Sequence, residues 1–299
     1  MSLAQKKAAA TVLARSEPVI AEPPREFAFS EADFRGLAQY AYDHAGIALS
    51  DSKRNLVYSR LSRRLRLLGL TSFREYRDYL AATPSELEGF LNAISTNLTK
   101  FFRESHHFDH FRTHVAAAFA KNARGATGRR LRVWSAGCST GEEPYTIAVV
   151  LKHEIGDTGS HDVRILATDI DTDVIGKGAL GEYPASALDD VPDEYHDYFE
   201  PIAADHRGSR VVVSDSVRAL IAFRRLNLME QWPFAGTFDA IFCRNVMIYF
   251  DGATKAALVE RFTQKLKPGG WLYIGHSESL MGSHPGLQLV GRTVYRSDK

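Results

Sequence analysis

Between residues 131 and 145 the chain reads Leu131-Arg132-Val133-Trp134-Ser135-Ala136-Gly137-Cys138-Ser139-Thr140-Gly141-Glu142-Glu143-Pro144-Tyr145. A short apolar run, a turn holding two glycines and the start of a helical stretch over 144–154 make a strand–turn–helix unit. Such units assemble into a parallel sheet covered by helices, an α/β fold. Residues 163–167 read as a second strand that ends at Asp169, 238–242 and 271–274 as two more, and 253–266 as a helix between them. Residues 209–220 break the alternation. Residues 210–213 and 217–222 read as a small antiparallel β insertion, about 205–221, turning near Ser214-Asp215.

Upstream the periodicity is helical. Ser30 with Asp33 three residues later reads as a helix start, and Phe34, Leu37, Ala38 and Ala41 share one face. Ser50 or Asp51 caps a second helix with the apolar stripe Val57, Leu61, Leu65 and Leu68, ended by Gly69. Thr71 and Pro84 open two further short helices. The expected organisation is a disordered tail over 1–26, an all-helical domain over 27–95, a linker with a helix over 96–130, and an α/β domain over 131–299.

The 37 basic and 36 acidic side chains are divided unevenly. Through Arg132 there are 21 basic and 13 acidic residues, a net of +8, and the remainder carries a net of −7. A basic front joined to an acidic back suggests two modules with different partners. No apolar run approaches the roughly 20 residues that span a bilayer. The first 26 residues hold no signal-peptide h-region. Two cysteines, Cys138 and Cys243, make no disulfide framework. A cytoplasmic protein is expected.

In a doubly wound sheet the turn at 136–145 lies at the carboxyl end of the first strand, where ligands bind, and its glycines allow close backbone approach. A P-loop would need Lys-Ser/Thr after the second glycine, whereas Glu142-Glu143 follows. A dinucleotide turn would need a glycine where Ser139 stands. A site for S-adenosylmethionine, whose sulfonium and ammonium tolerate carboxylates, fits; so does a turn that only packs a helix on a strand. Asp169, closing the second strand, is placed to accept hydrogen bonds from ribose hydroxyls. Residues 266–273, Leu-Lys-Pro-Gly-Gly-Trp-Leu-Tyr, read as helix end, tight turn and late strand, a pattern closer to class I methyltransferases than to dehydrogenases.

Four longer segments sharpen this. Thr96-Asn97-Leu98-Thr99-Lys100-Phe101-Phe102-Arg103-Glu104, the turn from Trp134 to Tyr145, Phe238-Asp239-Ala240-Ile241-Phe242-Cys243-Arg244-Asn245-Val246-Met247-Ile248-Tyr249-Phe250-Asp251 and Gly275-His276-Ser277-Glu278 occur in the order found in CheR-type chemotaxis receptor methyltransferases. The chain resembles that family over about 27–297. The resemblance implies a class I, Rossmann-like S-adenosylmethionine-dependent methyltransferase domain with a small antiparallel β insertion, preceded by an all-helical substrate-recognition domain. It also implies an activity: methylation of glutamate carboxylates on chemoreceptor cytoplasmic signalling helices during adaptation, by a monomer that meets the membrane only through the receptor. By position, Asn97, Thr99 and Arg103 reach the cofactor from the linker, Glu143 is the acidic contact of the first turn, and Asp169 takes the ribose. Asn227 and Leu228 flank the adenine, Arg244 and Asn245 close the site, and Tyr249 lies near the transferred methyl. Arg103 and Tyr249 are the candidate catalytic residues. Ser135 departs from the acidic residue common in other methyltransferases, and Glu143 is expected to supply that charge.

Three features are weighed beside the resemblance. His106, His107, His110 and His114 have spacing that metal ligands use, but no Cys or acidic cluster completes a set. A packing role is expected, with no metal. Cys138 and Cys243 read as small packing residues. Lys53, Arg54, Arg60, Arg63, Arg64 and Arg66 lie on a helix without one acidic residue, and all but Arg54 fall outside its apolar stripe. They are expected to form an exposed, unpartnered basic face, with Arg60, Arg63 and Arg64 reading the acidic receptor helices. Nucleic acid is the rival partner, disfavoured by the acidic remainder and by the lack of a nucleic-acid motif. A silent S-adenosylmethionine-sensing receptor binder is the rival function, disfavoured by Arg103, Arg244-Asn245 and Tyr249.

Overall fold

Ser30 opens the first helix as its spacing predicts. In the computed structural model, which describes residues 25–156, 158–205, 208–280 and 284–299, its side chain accepts from Asp33 N, and the Asp33 carboxylate accepts from Ser30 N in return. Helix α1 (Glu31–Ala45) is followed by α2 (Arg54–Leu68), α3 (Phe73–Ala82) and α4 (Glu86–Ile94). Ser72, rather than Thr71, caps α3. Phe34, Leu37 and Ala41 of α1 meet Val57, Leu61 and Leu65 of α2 and the rings of Phe73, Tyr76 and Phe90 in one buried cluster. The expected tail lies outside the described residues except at its end, where Arg25 bonds Asn55 and Glu26 pairs with Arg66.

The chain then crosses through a turn into α5 (His106–Phe111), a π-helical turn (Arg112–Ala116) and α6 (Ala117–Ala123). Beyond it lie β1 (Arg130–Ala136), α7 (Glu142–Ile155), β2 (Asp162–Asp169), α8 (Thr172–Leu180), β3 (Glu182–Pro184), β4 (Phe199–Asp205), β5 (Gly208–Val213), α9 (Asp215–Arg218), β6 (Ile221–Arg225), β7 (Phe238–Cys243), α10 (Gly252–Lys265), β8 (Leu266–Ile274), β9 (Leu287–Gly291) and β10 (Val294–Ser297). The main sheet has the order β6-β2-β1-β7-β8-β10-β9. Its first five strands are parallel, and β10 and β9 add antiparallel pairs at one edge. Sequence order reverses direction at β1, so β1, β2 and β7 open a crevice at their carboxyl ends, where ligands of such sheets bind.

The expected insertion over about 205–221 is corrected. The small antiparallel sheet is β3-β5-β4, drawn from 182–213. Residues 221–225 instead pair parallel with β2 as the main sheet's edge strand. Val217 to Ala222 alternates too weakly to reveal which neighbour it will find, and pairing partners are a tertiary matter. Likewise Lys267-Pro268-Gly269-Gly270 is not a free turn: α10 ends at Lys265 and the segment runs within β8, where a register shift against β7 absorbs it. No helix among the described residues is long and apolar enough to cross a membrane.

Candidate active site

A cavity of about 450 Å³ lies at those strand ends, walled on one side by the helical unit. Asn97, Thr99 and Arg103 of the linker, Glu143, Asp169, Asn227, Leu228, Arg244, Asn245 and Tyr249 all line it. The structure thus brings together all ten residues placed by sequence as cofactor-binding or catalytic, from five separate segments.

One wall is an ion-pair network. Glu143 sits in the first turn of α7, buried, and accepts from Ser135 Oγ at 2.7 Å and from Arg244 Nη1 at 3.0 Å. Ser135, the position that departs from the acidic residue common in other methyltransferases, therefore orients the Glu143 carboxylate. Burial pushes the Glu143 carboxyl up, and the Arg244 guanidinium pulls it back. Arg244 also donates to the Arg103 carbonyl, lies 3.5 Å from Glu104 Oε2 and stands over the Phe108 ring at 5.2 Å. An arginine buried this deeply holds its place only because its charge is paired and bonded.

The second wall is built on Asp169. Its carboxylate accepts from Ser139 N at 2.8 Å and Asp171 N at 3.1 Å, and burial pushes its pKa up against those bonds. Ser139 Oγ reaches Asn97 O, and Asn97 Nδ2 donates to Asp171 Oδ2 at 2.6 Å, tying the linker to this turn. Asn227 is otherwise engaged: its amide donates to His44 O at 2.6 Å and its oxygen accepts from Met229 N. It joins the α1 end to the sheet and leaves the apolar surface at that point to Leu228. Ser139, Asn245, Phe102 and Glu104 hold φ values of 48°, 60°, 49° and 56°. Left-handed backbone at non-glycine residues costs of order 1–3 kcal/mol and gathers at functional sites.

Gly141 serves a different purpose from the expected close approach to a ligand. At φ 99°, a Cβ there would meet Tyr183 Oη at 2.9 Å and the Gly178 backbone at 3.1 Å. The glycine admits protein, not ligand. Phe101 carries the linker onto the small sheet, edge-on to Tyr183 and Phe199 at 4.9 and 5.3 Å.

Tyr249 is half-buried at the mouth, its hydroxyl donating to Thr96 O at 3.3 Å. Arg103 donates to Leu98 O beside it. Sequence reading overlooked the stretch from the end of α1 to the start of α2 as part of the site: Ala45, Ile47, Ala48, Leu49, Lys53 and Leu56 line the cavity, and Ala48 N donates to Tyr249 O at 2.8 Å. Nothing in that segment marks it for chemistry, since its contribution is wall and backbone. Glu278 was quoted within a motif but given no role, and it proves to organise the loop after β7.

The basic face of α2 is corrected. Arg64 pairs bidentately with buried Glu86, both bonds 2.6 Å, and Tyr76 Oη adds a third at 3.0 Å. Arg60 donates to the carbonyls of Ile94 and Ser95 at the end of α4. Arg54 pairs with Glu31 and Arg66 with Glu26. The partners come from other elements, which a count along one helix misses. Of the three arginines named for substrate, Arg63 alone is exposed with no ion pair among the described residues.

The histidines split. His107 is buried, its Nε2 on Arg292 O and Thr293 Oγ1, and His110 Nδ1 meets the Tyr273 hydroxyl and stacks on His114. Burial drives both pKa values down, to about 3 and about 4. The acidic neighbour that sequence spacing did not supply is Glu104, which sets an oxygen with nitrogens of His106 and His107 within 4.8 Å of one another. The Arg244 guanidinium lies against that same carboxylate. Cys138 and Cys243 are buried, and burial raises both thiols well above their ordinary range. In the small antiparallel sheet Arg210 pairs with Glu182 at 3.0 Å.

Comparison with known proteins agrees with this geometry. The family model described as "CheR methyltransferase, SAM binding domain" matches residues 97–296, and "CheR methyltransferase, all-alpha domain" matches 32–95. A probable chemotaxis protein methyltransferase of Rhizobium etli is 44% identical, over 85% of this chain and 96% of its own. Chemotaxis protein methyltransferase 2 of Pseudomonas aeruginosa is 43% identical, over 91% and 95%. The chemotaxis protein methyltransferase of Escherichia coli is also 43% identical, over 91% and 93%.

Proposed function

The chain belongs to the CheR methyltransferase family, and from that premise we propose that it transfers a methyl group from S-adenosylmethionine to glutamate carboxylates on chemoreceptor signalling helices. The products are glutamyl methyl esters and S-adenosylhomocysteine. The observation that carries this reading is the convergence of Asp169, Glu143, Arg244, Asn245, Arg103 and Tyr249 on one cavity at the sheet's switch point. We place the enzyme in the cytoplasm, as a monomer that meets the membrane only through its receptor.

The cavity's chemistry suits the cofactor. Asp169 offers a buried carboxylate to ribose hydroxyls, Leu228 and Ile170 offer apolar surface to the adenine, and Glu143 offers negative charge to an ammonium. When bound, the cofactor supplies a sulfonium-activated methyl group. The nucleophile needs no general base, because a glutamate with an unperturbed pKa of about 4.3 is already ionised at neutral pH. It needs no Lewis acid either, since the leaving sulfide departs neutral. What remains for the protein is alignment and partial removal of water from the carboxylate. Arg103 at the mouth can hold that carboxylate through a charge-assisted bond. Tyr249, beside it, orients the attacking oxygen along the line to the methyl. Arg63 is the arginine of α2 free to meet an acidic receptor helix, while Arg60 instead fastens the linker where it begins.

Labelled methyl should pass from S-adenosylmethionine to receptor-containing membranes and be released as methanol in base. Label stable to alkali would point to another acceptor, and cofactor binding without transfer would point to a sensor.

A further inference from the structure

The loop after β7 carries Asn245 and Tyr249, and it is held from beneath by a carboxylate with no role in the reading above. Glu278 is 6% exposed. Its Oε2 accepts from Asn245 N at 2.6 Å and Gly275 N at 2.8 Å, and its Oε1 accepts from Ile248 N at 2.9 Å. No ion pair of Glu278 occurs among the described residues, and backbone N–H groups face its charge. Space for it is built in: a Cβ at Gly275 would meet Glu278 Oε2 at 2.5 Å and Asn245 N at 2.9 Å. The same carboxylate spans the ends of β7 and β8 and meets the residue held at φ 60°.

We propose that Glu278 is a positioning residue for methyl transfer, an anionic template that holds Asn245 in its left-handed conformation and sets Tyr249 at the cavity mouth. An ionised carboxylate accepts at both oxygens, so all three N–H groups are satisfied at once. A glutamine cannot do this. If its oxygen faces Asn245 and Gly275, its amide N–H₂ faces the Ile248 donor, and the turn leading to Tyr249 loses its anchor. Fixing the loop on the neighbouring strand end keeps the tyrosine aligned while the rest of the mouth stays open to a large substrate, and small misplacements there cost rate steeply.

The inference rests on the role given to Tyr249, and the test separates the two. In the full chain, Glu278→Gln should lower kcat about 10- to 100-fold while the Kd for S-adenosylhomocysteine stays within about threefold. The double variant Glu278→Gln/Tyr249→Phe should be no slower than Tyr249→Phe by more than about twofold, because a misplaced ring has lost the hydroxyl's benefit already. Glu278→Asp, which keeps the charge and loses one bond, should recover part of the rate, and it carries the test if the glutamine variant fails to fold. Unchanged kcat in Glu278→Gln overturns the inference. So do losses that multiply in the double variant, or a loss of cofactor affinity that accounts for the whole fall. If Tyr249→Phe alone leaves kcat unchanged, the Tyr249 reading fails instead.

Discussion

Asp169 is asked to do two things at once. Its carboxylate closes the first turn by accepting Ser139 N and Asp171 N, and it faces the cavity with its remaining lone pairs. Hydrogen bonds to a charged group contribute about 1.5–3 kcal/mol each. Asp169→Ala should therefore weaken S-adenosylhomocysteine binding at least tenfold by calorimetry, and release Ser139 from φ 48° as well. Asp169→Asn, which can still accept one backbone N–H, should fall between. His107 is a second residue-scale case, with a pH dependence. Unfolded, it takes a proton near pH 6.5; folded, it resists to about 3. Below 6.5 the unfolded chain binds the extra proton, so this contribution to stability is full above pH 6.5 and shrinks as pH falls. By pH 5 the loss is about 2 kcal/mol at 1.36 kcal/mol per pH unit. The buried carboxyls with raised pKa values act with the opposite sign, gaining stability as pH falls, so the His107 contribution across the window from pH 7 to 5 is read as the difference between the wild-type chain and a His107 variant. His107→Gln should flatten urea-unfolding stability across that window; an unchanged slope would remove the assignment.

At the scale of the element, α2 shows how a charge run is decided by neighbours. Arg64 is the partly exposed cation of a pair whose carboxylate, Glu86, is buried, and removing it leaves that buried charge without its partner, a loss that reaches about 3–5 kcal/mol where both groups are buried. Arg64→Ala should lower the denaturant midpoint steeply. Arg63→Glu, on the exposed side, should leave stability within about 0.5 kcal/mol and raise the receptor KM severalfold at low salt, less so as salt screens the contact. A receptor KM unmoved by Arg63→Glu would remove the docking role of this helix. The linker is a second lesson in elements. Its motif is legible as a string, yet its effect depends on Phe101 seating on the small sheet and Asn97 reaching Asp171.

For the whole molecule, the cavity is shared property. The helical unit contributes Ala45 to Leu56 of its lining, and Asn227 Nδ2 to His44 O, Ala48 N to Tyr249 O and Tyr42 Oη to Asp251 Oδ2 fasten it to the sheet. A ligand in that cavity touches both units and should stabilise them together. S-adenosylhomocysteine at 100 times its Kd should add about 2.7 kcal/mol and move one calorimetric transition upward. Two transitions, of which only the later-sequence unit's shifts, would show the helical unit standing apart from the site.

Features set by neighbours a few residues away were legible in the chain alone: the Ser30 capping box, the glycine that ends α2, the strand–turn–helix at 131–145, and ten site residues, seven of them within the four motifs, that line one cavity. Side-chain type, spacing and local hydrogen bonds suffice for these. The tertiary structure alone decided the rest. Residues 221–225 became an edge of the main sheet because β2 offered an unpaired ladder. Arg60 and Arg64 became fasteners because α4 brought carbonyls and a buried carboxylate to them. Glu278 became the support of Tyr249's loop because β7 and β8 end side by side. In each case the deciding partner is distant in sequence, and a polar group's role is set by whichever complementary group folding brings within about 3 Å of it.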